Sequence, residues 1–187
     1  VPDSGLGIVV GDPDGVLVPL PGTLKPVPWS ASAAQVLVEM TEIDGTPSPY
    51  SPRELLGGVL KRYADRGWTP VVATELEFYV VQKRARPDTP PRPPEPNFAA
   101  QNYDLEALSE HDDMLTEILS ACAAQGLATD TLVAEYGPGQ FEINFHHTAD
   151  VLAAAETALL FRRVVREVVD GYGLEATFMA KPYAESP

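Results

Sequence analysis

Four glutamates stand in otherwise apolar, strand-like runs. Glu75 and Glu77 lie within Val71-Val72-Ala73-Thr74-Glu75-Leu76-Glu77-Phe78-Tyr79-Val80-Val81, and Glu135 and Glu142 within Glu135-Tyr136-Gly137-Pro138-Gly139-Gln140-Phe141-Glu142-Ile143-Asn144-Phe145. Residues i and i+2 of a strand share a face, so Glu75 and Glu77 point the same way, roughly 6–7 Å apart, while Leu76 and Phe78 point into a core. Parallel carboxylates repel. Burying part of such a pair beside two more is costly, or forces protonation, unless cations sit between them. Oxygen-only ligands select hard ions, so the chemistry these residues suggest is binding of Mg²⁺ or Mn²⁺. The competing reading is an exposed edge face whose glutamates meet only bulk water.

The elements that must position them are readable from pattern. Both glutamate-bearing segments are apolar on the opposite face, so their polar faces line either solvent or a cleft. In the second, Phe141, Ile143 and Phe145 face one way and Gln140, Glu142, Asn144 and His146 the other. Residues 132–135 and 140–145 read as strands joined across Gly137-Pro138-Gly139, a rigid corner holding Glu135 and Glu142 at one end of such a cleft. Upstream, residues 7–10, 15–18 and 35–40 read as short strands, with a turn over 11–15. Ser51-Pro52-Arg53-Glu54 is a capping box with proline at the first helical position, opening a helix that runs to about Gly67. A second helix is expected to be capped by Ser109, with Asp112 three residues on, and to end near Gly126. A third runs from Ala149 to about Tyr172 with Val151, Ala155, Ala158, Val165, Val168 and Tyr172 as its buried stripe. A last strand is expected over Glu175–Met179. Between Lys83 and Pro96 six prolines interleave with charged residues, which forbids helix or central strand and gives an extended surface insertion over about 83–100. Helices alternating with hairpin-like strands predict an α+β domain whose antiparallel sheet is covered on one side.

Composition narrows the function classes. Thirteen Lys and Arg against 27 Asp and Glu give a formal net charge of −14 over 187 residues, which repels phosphate backbones and anionic lipid. Neither nucleic acid nor a membrane is an expected partner, and no apolar run approaches the roughly 20 residues that span a bilayer. The chain reads as soluble and cytoplasmic. Cys122 has no second cysteine to pair with and sits in a helical pattern among alanines, as a small buried residue does.

The chain resembles the glutamine synthetase family, in the branch that includes γ-glutamylpolyamine synthetases. The resemblance rests on Gly11-Asp12-Pro13-Asp14 followed by Pro28-Trp29, on Glu75-Leu76-Glu77-Phe78-Tyr79, on the Glu135–Asn144 run, and on Ala176-Thr177-Phe178-Met179-Ala180-Lys181-Pro182. It implies a partial β-grasp N-terminal domain over residues 1–45. Residues 46–187 would then be the front half of a catalytic domain whose curved antiparallel sheet, flanked by helices, forms a funnel. It also implies that Glu77, Glu135 and Glu142 hold the ion orienting a substrate glutamate, and that Glu75 helps hold the ion on the nucleotide phosphates. By spacing alone, Tyr103 takes the place of a tyrosine near the amino-acid substrate, and Asp130 that of an acidic nucleotide contact. The implied reaction joins the γ-carboxyl of glutamate to ammonia or an amine, with ATP as co-substrate and no protein nucleophile. The implied full-length assembly is a homo-oligomer.

The family pattern continues after Ala180-Lys181-Pro182 with a Gly-rich turn, a His-x-His strand and phosphate-gripping arginines, none of which follows Pro187. His146 and His147 do not replace them and read as a turn before the third helix. The expectation is a fragment, truncated at both ends, that binds one metal at best and turns over nothing by itself. The rival reading is a non-catalytic member or fragment acting in assembly or partner binding. A guanidino-kinase-like phosphotransferase shares a similar sheet, but its reactive cysteine and arginine pattern is not evident here.

Overall fold

The computed structural model describes residues 14–96 and 99–184. The strand expected over 7–10 and most of the turn over 11–15 lie outside the described residues. The chain gathers into two units, one of Val1–Lys25 and Ala34–Thr69, the other of Pro26–Ala33 and Pro70–Pro187.

In the first unit β1 (Val16–Pro19) pairs antiparallel with β4 (Val38–Thr41), Val16 opposite Thr41 and Pro19 opposite Val38. The two-residue strands β2 (Lys25–Pro26) and β3 (Ala34–Gln35) lie where the chain leaves and re-enters this unit. The strand expected over 35–40 is therefore interrupted: the Leu37 N–H donates to Thr23 Oγ1 at 3.1 Å instead of to a neighbouring strand. Helix α1 (Pro52–Ala64) begins as its capping residues dictate. Ser51 Oγ accepts from the Glu54 N–H at 3.2 Å, and Pro52 occupies the first turn, where its missing N–H costs nothing. Ser51 Oγ also donates to the Glu39 carboxylate, which Arg53 approaches at 3.6 Å, tying the start of the helix to β4. No residue of α1 is buried, and Leu55, Val59 and Tyr63 are exposed.

The second unit is built on an antiparallel sheet in the order β6-β7-β5-β8: β5 (Glu75–Gln82), β6 (Thr129–Ala134), β7 (Gln140–Phe145) and β8 (Leu174–Thr177). Phe78, Val80, Phe141, Ile143 and Phe145 turn inward and are all buried. Helix α4 (Val151–Gly171), capped by Asp150 accepting from the Ala153 N–H at 3.0 Å, meets them with Phe161, whose ring lies edge-on to Phe78 and Phe145 at 6.1 and 5.3 Å. Helix α3 (Asp112–Ala124) adds Met114, Leu115, Ile118, Ala121 and Cys122. From Tyr79 to Val81 β5 is buried on both faces. The second face is covered by Tyr183, edge-on to Tyr79 at 5.4 Å, and by the proline-rich segment, irregular as expected but bonded back to the strand through Gln82 N–H to Arg92 O at 3.0 Å. Burial pushes the Cys122 thiol up to about 12, as expected of an inert core cysteine.

Three further expectations are corrected. The helix assigned to a Ser109 cap is two helices, α2 (Leu105–Glu110), capped by Asp104 accepting from the Glu106 N–H at 2.9 Å, and α3. Ser109 lies within α2 and donates to Leu105 O, a bond made from a helix interior. His111 turns between them with φ −108 and ψ 16, its ring edge-on to Phe141 at 5.6 Å. The buried stripe of α4 is Leu160, Phe161, Val164, Val165, Val168 and Val169; of the expected set only Val165 and Val168 are buried, and Ala155 and Tyr172 are exposed. The last strand covers Leu174–Thr177, ending before Met179 because Thr177 Oγ1 takes the Met179 N–H at 3.2 Å.

Candidate functional site

The register of β5 on β7 sets Glu77 directly opposite Glu142 and Glu75 opposite Asn144. Facing residues of an antiparallel pair put their Cβ atoms about 4.5–5.5 Å apart on one face of the sheet, so Glu77 and Glu142 are neighbours by construction. On the other side of β7, Val133 faces Glu142, and Glu135 follows just past the end of β6, where its N–H donates to Gln140 O at 2.9 Å. Glu135 thus arrives at the same end of the sheet. Its carboxyl is held above the usual glutamate range by partial burial first, then by the negative charges of Glu142 and Glu77. The Tyr79 phenol is raised by burial and by the charges of Glu77 and Glu135. Three of the four predicted glutamates therefore share one electrostatic environment. Glu75 lies one strand repeat further along β5, and with Glu77 it borders an open groove lined also by Arg162, Phe178 and Met179.

The Gly137-Pro138-Gly139 corner is gripped from several sides. Gly137 N–H donates to Gln140 Oε1 at 2.8 Å, Tyr183 O–H donates to Pro138 O at 3.0 Å, and Val80 N–H donates to Gly139 O at 2.8 Å. Gly139 has φ +71, and a Cβ there would stand 2.5 Å from Val80 O; one on Gly137 would meet the Tyr79 ring at 2.7 Å. Both positions demand glycine, one for conformation as well as space.

The remaining predicted residues fall elsewhere. Tyr103 is exposed with a left-handed backbone, φ 59, and its N–H donates to Ala134 O at 2.8 Å, one residue before Glu135. A bulky residue in that region carries strain. Asp130 is near the opposite end of β6 from Glu135, exposed, 3.5 Å from His146 Nδ1. His146 and His147 are exposed between β7 and α4, as the turn reading expects.

Among the described residues, no three His, Cys, Asp or Glu groups are drawn together as a finished metal cage. The donor set still fits a hard cation. It is all oxygen, it is concentrated on one face, and beside Glu75 the buried Asn144 Oδ1 has no hydrogen-bond partner, while Asn144 Nδ2 donates to Thr131 Oγ1 at 2.9 Å. Sequence reasoning passed over Gln140, which donates from Nε2 to Glu77 Oε2 at 2.7 Å. The available signal was its place on the Glu142 face directly after the Gly-Pro-Gly corner.

The family model described as "Glutamine synthetase, catalytic domain" matches residues 49–187. The chain belongs to the glutamine synthetase family. It is 38% identical to gamma-glutamylputrescine synthetase PuuA of Escherichia coli (strain K12) over a 192-residue alignment covering 99% of this chain and 41% of that protein. It is 32% identical to glutamate–isopropylamine ligase of a Pseudomonas species, covering 94% of this chain and 39% of that one. The solved structure "Apo GmaS without ligand" matches with a TM-score of 0.84 at 31% identity, over 96% of this chain and 42% of that one. The α+β arrangement over residues 49–187 is thus that of part of a glutamine synthetase-like catalytic domain. The chain spans 39–41% of the length of these two curated relatives.

Proposed function

We propose that the chain is part of an ATP-dependent ligase that joins the γ-carboxyl of glutamate to ammonia or an amine through a γ-glutamyl phosphate. The observation that supports this best is Glu77 facing Glu142 across β5 and β7, with Glu135 brought to the same end by the glycine corner. Glu77, Glu135 and Glu142 would hold one Mg²⁺ or Mn²⁺, and Glu75 would contribute to a second. When bound, such cations supply charge neutralisation and a template for phosphate and carboxylate oxygens. A free carboxylate is a poor acyl donor because oxide would have to leave. Transfer of the terminal phosphoryl group of ATP to the γ-carboxylate oxygen releases ADP. The amine nitrogen then bonds to the carbonyl carbon, the carbon–oxygen bond to phosphate breaks, and the proton lost by the amine passes to solvent. No protein nucleophile is needed, which suits a chain whose one cysteine is a buried, protonated thiol. The role of this chain's residues is positioning. Exposed, strained Tyr103, tied to the residue before Glu135, is assigned to the amino-acid substrate, and Asp130 to the nucleotide.

The higher identity to a putrescine ligase, 38% against 32% to a glutamine synthetase, favours an amine over ammonia as acceptor. Residues 1–45 are assigned to a partial β-grasp domain and 46–187 to the catalytic domain, acting in the cytoplasm as a homo-oligomer at full length and inactive as this piece alone. The second reading, a member acting in assembly, draws on α1, which exposes Leu55, Val59 and Tyr63.

A coupled ADP-release assay at full family length, with glutamate and in turn ammonium, putrescine, spermine and isopropylamine, tests the ligase. Stimulation by at least one acceptor, lost in Glu77→Gln and Glu142→Gln, is the expected outcome. No stimulation by any of them favours the assembly reading.

A further inference from the structure

We propose that Gln140 is a positioning residue for Glu77: its carboxamide, oriented by the Gly137 N–H, holds one oxygen of Glu77 and leaves the other free for a cation. This rests on the metal reading above and adds to it a residue that is not itself a ligand.

The orientation of the amide follows from its partners. A backbone N–H can only donate, so the group facing Gly137 at 2.8 Å must be Oε1, and Nε2 is thereby turned to the Glu77 carboxylate at 2.7 Å. The anchor is stiff. Gly137 is backed by the Tyr79 ring, Pro138 O by the Tyr183 hydroxyl, and Gly139 by the Val80 N–H and by Pro94, so the corner cannot drift without breaking several contacts at once. The group being held has reason to move. Glu77 is exposed and lies opposite Glu142, and like charges across a strand pair drive each other's side chains apart.

A restraint on that carboxylate has to be a donor without net charge. Lysine or arginine at position 140 would fix Glu77 equally well, but its positive charge would compete with the cation for the same oxygens. A carboxamide donates one charge-assisted bond and keeps the negative charge available. Its length matters too. The glutamine side chain spans from the Gly137 N–H on its own turn to the neighbouring strand, whereas asparagine is one methylene shorter and reaches only one of the two.

Partners of this kind, which orient a ligand without touching the metal, typically change metal affinity 10- to 100-fold when removed. The test is Mn²⁺ titrated by calorimetry into the whole chain, Gln140→Met, Gln140→Asn and Glu77→Gln, well below the thermal midpoint of each, with that midpoint recorded for every metal-free protein. The expected result is roughly 10- to 100-fold weaker Mn²⁺ binding in Gln140→Met, no rescue by Gln140→Asn, and little movement of the midpoint. A second readout needs no metal: the side-chain amide NMR resonances of Gln140 in the parent shift on Glu77→Gln. Parent-like Mn²⁺ affinity in Gln140→Met overturns the inference. So do amide resonances that stay put in Glu77→Gln, and so does a loss of affinity that merely follows a fall in folded fraction. If Glu77→Gln binds Mn²⁺ like the parent, or the parent binds none, while the amide resonances do shift, it is the metal reading that fails and the Gln140–Glu77 contact that survives.

Discussion

Strands β5 and β7 present two faces made by alternate residues of the same few segments, and these faces are held by different physics. Inward, Phe78, Phe141 and Ile143 are wholly buried, and the Phe78 ring meets both Phe141 and Phe161 of α4. Outward, Glu77, Gln140, Glu142 and Asn144 are partly wet, and are placed by register, one amide and a tight glycine corner. The inner face carries the free energy of folding. The outer face is thereby released from that duty and can concentrate like charge that no core would accept.

Three substitutions probe this division. Phe141→Ala should cost about 3–5 kcal/mol of unfolding free energy, because a fully buried ring is removed and its neighbours collapse only in part; urea denaturation measures it. A loss under about 1 kcal/mol would mean that the inner face does not carry the fold. Gly139→Ala comes next, at about 1–3 kcal/mol, since it combines a left-handed backbone with a Cβ driven against Val80 O. Because this change acts at the joint between the faces, it should weaken Mn²⁺ binding as well as stability, which calorimetry on the folded protein would detect. Glu135→Gln is the smallest, less than about 1 kcal/mol, and of opposite sign. The Glu135 carboxyl sits above its ordinary value, so the folded chain binds that proton more tightly than the unfolded one, and stability falls as pH rises from the unfolded to the folded value. The glutamine variant should therefore be slightly more stable than the metal-free parent at pH 7, the advantage vanishing as pH drops below the carboxylate range. A destabilised variant at pH 7 would show that Glu135 has a structural partner.

The outer face was readable from sequence because alternation is a local signal. Leu76 and Phe78 fix the inward side of β5 and so leave Glu75 and Glu77 outward; likewise Phe141 and Ile143 determine Glu142. Ser51 and Pro52 located the start of α1 for the same reason, their work being done within four residues. The stripe of α4 was not readable. That helix has apolar side chains on several flanks, Leu152, Leu159, Leu160, Phe161 and Val164 among them, and periodicity alone cannot say which flank meets the sheet. The split between α2 and α3 falls at His111, whose non-helical backbone and contact with Phe141, thirty positions along the chain, no cap rule contains. The pairing of Glu77 with Glu142 was a matter of register, and Gln140 escaped notice because its two partners meet only once that register exists.

The burial of Cys122 provides a reporter that requires no engineering. With its sulfur sealed among α3 neighbours and its proton held to about 12, a disulfide reagent in neutral buffer can reach it only in molecules that have opened. The labelling rate then counts those openings directly, and it distinguishes a variant that loosens the whole unit from one that disturbs only its acidic surface.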